Sequence, residues 1–160
     1  MTKTERLLVL VGKLNYTWSN TESLLIYVIS DLIGADKETA IVIFLTLNTT
    51  RSRLDLIERL AKRSSTDPAT RADALSIVAA MKRDSKVRNK YTHCVYSFDD
   101  EGEIESTQLM RIADFGEDLK YGKMEDLDEV ELASLEATIA SVVEINRPLM
   151  SYVATRGIVM

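Results

Sequence analysis

The chain predicts an all-α fold: an antiparallel bundle of four to five helices with a small β-hairpin inserted before the last long helix. Three observations carry this expectation. Apolar residues recur at helical spacing over most of the chain. Glycine and proline are scarce, at six and two residues. Aromatics make up only 6% of the sequence, which disfavours a many-stranded sandwich with its frequent turns. With 160 residues, 46% hydrophobic and 28% charged, the chain is long enough for one domain with its own core, residues 1–160, interrupted by a hairpin at about 95–113.

Leu7, Val11, Leu14, Trp18, Thr21, Leu25, Val28 and Leu32 follow one another in steps of four and three, a single buried stripe. They predict one helix from about Glu5 to Ile33, ended by Gly34. Asp36 then reads as the N-cap of a second long helix reaching about Arg63, with Ile41, Phe44, Leu47, Leu54, Ile57 and Ala61 on its core face. Asn48-Thr49-Thr50 is its weak point, because these side chains compete for backbone hydrogen bonds. Asp67-Pro68 is a strong start signal for a third helix, an N-cap followed by the residue best tolerated at the first helical position. Its expected core residues are Ala72, Leu75, Val78, Ala79 and Met81.

Beyond Val95 the period changes. Two β-prone runs, around Tyr96–Phe98 and Ile104–Ile112, flank Asp99-Asp100-Glu101-Gly102 and predict the hairpin. Residues 113–125 read as a loop or a short helical turn. Asp128 with Glu131 resembles a capping box, and Leu132, Leu135, Ile139, Val142, Leu149 and Val153 mark a last long helix that Pro148 should kink.

Net charge is −5, unevenly distributed. Residues 1–98 hold fifteen basic and ten acidic side chains, and residues 99–131 hold three basic and thirteen acidic. A strongly basic nucleic-acid grip is absent, so any RNA contact needs a local patch, and DNA is not expected as a partner. The apolar run Leu7–Val11 is too short for a signal peptide, and no stretch approaches the roughly 20 apolar residues of a membrane span. With one cysteine, Cys94, and no export signal, the expectation is a cytoplasmic protein without membrane association.

The chemistry is narrowed by scarcity. One histidine, His93, cannot build a polyhistidine metal site, and one cysteine cannot form a disulfide or a CxxC pair. No Walker loop, GxGxxG or HExxH is present, and neither metal nor cofactor is expected. What remains is Arg88-Asn89-Lys90-Tyr91-Thr92-His93. On a helix Asn89 and His93 share a face, and Arg88 can reach toward them with its long side chain. An imidazole can take a proton from a ribose 2′-hydroxyl, and a guanidinium offers a fixed fork of donors to a charged phosphate. Lys82, Lys86 and Lys90 recur every fourth residue, and Lys86 and Lys90 are the candidate phosphate-steering residues; a solvated basic face is the other reading of this stripe. His93 could equally be a helix-end histidine favoured by the helix dipole and buried against the hairpin. Glu22 is expected to pair structurally with Arg51 or Arg53, and Trp18 to pack.

The run RNKYTH resembles the Arg-x(4–6)-His signature of the HEPN superfamily, helical-bundle domains named for higher eukaryotes and prokaryotes nucleotide-binding. The similarity covers roughly residues 14–95 and includes Trp18 and Glu22 on an early helix and Phe44 with Arg51-Ser-Arg53-Leu-Asp-Leu-Ile on the next. The resemblance implies Arg88 and His93 as catalytic residues, Asn89 as their support, and a homodimer whose paired motifs form one cleft. It also implies a metal-independent endoribonuclease of the toxin–antitoxin, phage-defence or RNA-processing kind. The acidic stretch after the motif departs from this picture and suggests a second reading, a non-catalytic module that binds a protein partner.

Overall fold

The computed structural model describes residues 1–159. The chain is 65% helical, with a small antiparallel β region. Its elements in order are α1 (Lys3–Ser23), α2 (Leu25–Ile33), α3 (Lys37–Thr46), α4 (Thr50–Ala61), α5 (Pro68–Thr92), β1 (Cys94–Phe98), β2 (Ile104–Leu109), β3 (Ile112–Phe115), β4 (Asp118–Tyr121), β5 (Met124–Asp126) and α6 (Glu129–Thr155). Two compact units emerge. One comprises Met1–Asn15 and Lys86–Ile139; the other comprises Tyr16–Ser85 with the stretch from Ala140 onward.

The helical unit from Tyr16 is organised around Trp18, which is fully buried and donates its indole N–H to Glu22 Oε2 at 3.1 Å. Arg53 Nη1 lies 3.2 Å from Glu22 Oε1, the predicted structural pairing. That oxygen makes no directed hydrogen bond, so the attraction is mainly one of charge in a poorly solvated place. The Arg53 guanidinium sits 3.9 Å from the centroid of the Phe44 ring and donates through Nε to the Phe44 carbonyl at 3.0 Å. One arginine thus ties α4 to both α1 and α3.

Both long helices expected in this region are divided. Leu24 N–H bonds to Thr21 at i−3 rather than i−4, so α1 passes into α2 through one tightened turn at Leu24, which keeps helical φ and ψ of −67° and −18°. At the second break Leu47 is extended and Thr49 caps α4, accepting from Ser52 N–H at 3.1 Å. The weak point at residues 48–50 is therefore a full break rather than a kink. In α5 the inward residues are Ala74, Ile77, Val78 and Met81, whereas Ala72 and Ala79 are exposed; the core stripe is displaced from the one the spacing predicts. α6 continues through Pro148.

In the other unit the hairpin forms as expected but belongs to a larger arrangement. β1 pairs antiparallel with β2 from Cys94↔Leu109 to Phe98↔Ile104, with an irregularity at Ser97/Phe98, and β2 pairs with β5 from Ser106↔Asp126 to Gln108↔Met124. The turn is built by Asp99, whose carboxylate accepts from the N–H groups of Glu101 and Glu103 at 3.0 and 2.9 Å. β2 buries Ile104, Ser106 and Thr107. Thr4 Oγ1 accepts from Ile104 N–H at 2.8 Å, and Lys3 Nζ donates to the Leu127 carbonyl at 3.2 Å, which fastens the start of α1 to the sheet.

Residues 113–125 are not a loop or helical turn. β3 and β4 form a separate two-stranded arm, in register from Ile112↔Tyr121 to Phe115↔Asp118, closed by Gly116 and Glu117. Gly116 has φ +63°, and among the described residues no non-glycine residue, Glu117 included, has a positive φ, as a two-residue II′ turn requires. At the base of the arm only glycine fits position 122: a Cβ there would lie 2.0 Å from the Leu109 carbonyl oxygen.

Candidate functional site

The Arg88–His93 segment lies at the C-terminal end of α5, wholly within the sheet-containing unit. The helix is started cleanly at its other end, where Asp67 accepts from Thr70 N–H at 3.0 Å ahead of Pro68. Its last turn is finished by the strand that follows. The Tyr96 hydroxyl donates to the Tyr91 carbonyl at 3.0 Å, supplying a partner that a terminal carbonyl otherwise lacks. Burial pushes the Tyr96 phenol above its ordinary range, with Cys94 adding to the shift.

His93 is the first residue past α5. Its N–H still reaches the Asn89 carbonyl at 3.1 Å, and its own carbonyl accepts from Met110 N–H at 3.2 Å, so the backbone is held between helix and sheet. The side chain is exposed, unlike the packed helix-end histidine of the alternative reading. Arg88 is half-buried; its Nη1 donates to Asn89 Oδ1 at 3.0 Å, joining the two side chains into one unit. Arg88 Nε is buried without a hydrogen-bond acceptor. The Thr92 hydroxyl donates to the Arg88 carbonyl at 2.9 Å. Because Asn89 accepts through its oxygen, its amide N–H groups remain available as donors.

The lysines behave differently from one another. Lys86 is exposed and makes no ion pair among the described residues. Lys90 turns inward: its side chain is 15% exposed, and its ammonium meets Glu125 at 2.5 Å and also Glu131. Burial opposes that charge, but the bonds to the two carboxylates outweigh it and raise the Lys90 pKa. Of the two candidate phosphate-steering lysines, Lys86 alone is exposed, and Lys90 is committed to ion pairs within the fold. Lys82, in the other unit, is likewise paired, with Asp55 at 2.9 Å and Glu58 at 2.5 Å. The stripe is mostly internally neutralised.

Within the same segment, Lys90 and Tyr91 belong to a half-buried polar cluster. Tyr91 donates to Glu131 at 2.6 Å, and burial, reinforced by that carboxylate, pushes its phenol well above its ordinary value. Asp128 caps α6 through Glu131 N–H at 2.8 Å, but the Glu131 carboxylate leaves the cap for Lys90 and Tyr91. Only half of the predicted capping box forms. No local signal marks this rearrangement, since Lys90 and Glu131 lie 41 residues apart. Among the described residues no three His, Cys, Asp or Glu side chains are grouped to hold a metal ion, and no helix is long and apolar enough to cross a membrane.

The chain matches no protein-family model, no curated protein and no solved structure.

Proposed function

We propose that this is a HEPN-like protein, its helices arranged as an antiparallel bundle in a single domain, that cleaves RNA without a metal ion. The observation that carries the reading is the placement of His93: exposed immediately beyond α5, one turn after a joined Arg88–Asn89 pair. In the reaction His93 takes the proton of a ribose 2′-hydroxyl. The resulting oxygen attacks the adjacent phosphorus, the bond to the 5′-oxygen breaks, and a 2′,3′-cyclic phosphate remains. Arg88 stabilises the charge that grows on the non-bridging oxygens, Asn89 fixes the phosphate, and Lys86 attracts the strand. The leaving 5′-oxygen needs a proton, and His93 of a second copy supplies it, which makes the homodimer the working form.

The test is cleavage of single-stranded RNA by the full chain in excess EDTA. His93→Ala and Arg88→Ala are each expected to abolish cleavage, with unchanged circular dichroism, and Asn89→Ala to slow it about tenfold to a hundredfold. Cleavage unaffected by either of the first two substitutions, or arising only with added divalent ion, sinks the mechanism. The second reading, a non-catalytic interaction module, is favoured by the exposed apolar arm in the acidic part of the chain. It predicts no turnover by the wild-type chain.

A further inference from the structure

The β3–β4 arm buries none of its eight strand residues, and Ile112, Phe115, Leu119 and Tyr121 are 62%, 59%, 53% and 64% exposed. A lone two-stranded hairpin is marginal in water, and an apolar strand edge left open invites another strand. We propose that the outer edge of β4 pairs antiparallel with the same edge of a second copy, about a two-fold axis at Leu119.

Backbone register and charge both select this pairing. The hairpin closes on Phe115↔Asp118, the alternate pair is Ala113↔Lys120, and Gly122 N–H continues the same set by donating to the Arg111 carbonyl at 2.9 Å. In an antiparallel ladder the intervening residues of β4, Leu119 and Tyr121, then turn their N–H and C=O groups toward the free edge. Centring on Leu119 lets the two leucines exchange both backbone hydrogen bonds. It sets Asp118 opposite Lys120 of the second copy, and Lys120 opposite its Asp118, two opposed charge pairs on one face. The other face gains Leu119 against Leu119, next to the Ile112–Tyr121 pair of each copy, in a continuous four-stranded sheet. On the β3 edge, pairing about Asp114 sets that carboxylate against itself. The contact is isologous, so it closes as a dimer rather than growing into a fibre. It does not depend on the chemistry of Arg88 and His93, and it is read without a nuclease assay.

The experiment is sedimentation velocity of the full chain over a concentration series. The wild type is expected to dimerise. Leu119→Pro should weaken self-association by about tenfold or more, because it deletes an edge N–H that the hairpin itself does not use. Asp118→Lys and Lys120→Asp should each weaken self-association by about tenfold or more, while an equimolar mixture of the two regains a dimer through restored opposite charges. A wild-type monomer across the series, a dimer indifferent to all three substitutions, or a mixture that stays monomeric overturns the proposal.

Discussion

The two β structures of the sheet-containing unit differ in what holds them. The three-stranded sheet buries Ile104, Ser106 and Thr107, and is fastened to helices by Lys3, Thr4 and Lys90. The arm, composed of the same kinds of residue, buries nothing and is anchored at its base, where Gly122 passes against Leu109. Stability is expected to follow burial and cross-element bonds, not propensity.

The same substitution in the two places should separate them most. Ile104→Ala is expected to cost about 3 kcal/mol, since it empties a buried position at the start of the central strand β2. Equilibrium urea unfolding measures it, and a loss below about 1 kcal/mol would show that the sheet tolerates a void as readily as the arm. Lys90→Ala comes next, at about 2 kcal/mol, because it takes the cation from the partly buried Glu131 and leaves Glu125 with Lys123 alone; residual solvation and these remaining partners keep the loss below that of a fully enclosed pair. The melting temperature should fall by roughly 4–8 °C.

Acid should loosen the sheet by the same route. Lys123 and then Lys90 hold the Glu125 carboxyl at about 2, below its ordinary 4.5. A carboxyl lowered on folding contributes its full stabilisation above about pH 4.5 and loses it as pH falls toward about 2. Near-ultraviolet circular dichroism of the tyrosines should track this, with a weaker pH dependence in Lys90→Ala; an identical dependence would place the titration elsewhere. The smallest effect is expected from Ile112→Ala, within about 0.5 kcal/mol at concentrations where the chain is monomeric, because that side chain is already in water.

What was legible before folding was local. Asp36, Asp67-Pro68 and Asp128 are helix starts because a cap and its N–H lie three residues apart. The Asp99–Gly102 turn was equally readable. The tightened turn at Leu24 leaves no mark in the sequence, because the apolar period runs through it from Trp18 and Thr21 to Leu25 and Val28. The arm is hidden for a related reason: Ile112-Ala-Asp-Phe115 does not alternate apolar with polar residues, and only Gly116 at the first turn position marks the reversal.

For the candidate site, the sequence alone determined which residues are available: one histidine, an arginine five positions before it, and the helix that brings them near each other. It could not distinguish Lys86 from Lys90, which are spaced alike along α5. Tertiary structure decided that, turning Lys90 onto carboxylates from β5 and the start of α6 while leaving Lys86 and His93 in solvent. Helical periodicity and capping arise from contacts within a few residues, and a sequence encodes those directly. Charge pairing and exposure depend on which distant segments arrive beside a side chain, and only the folded chain sets that.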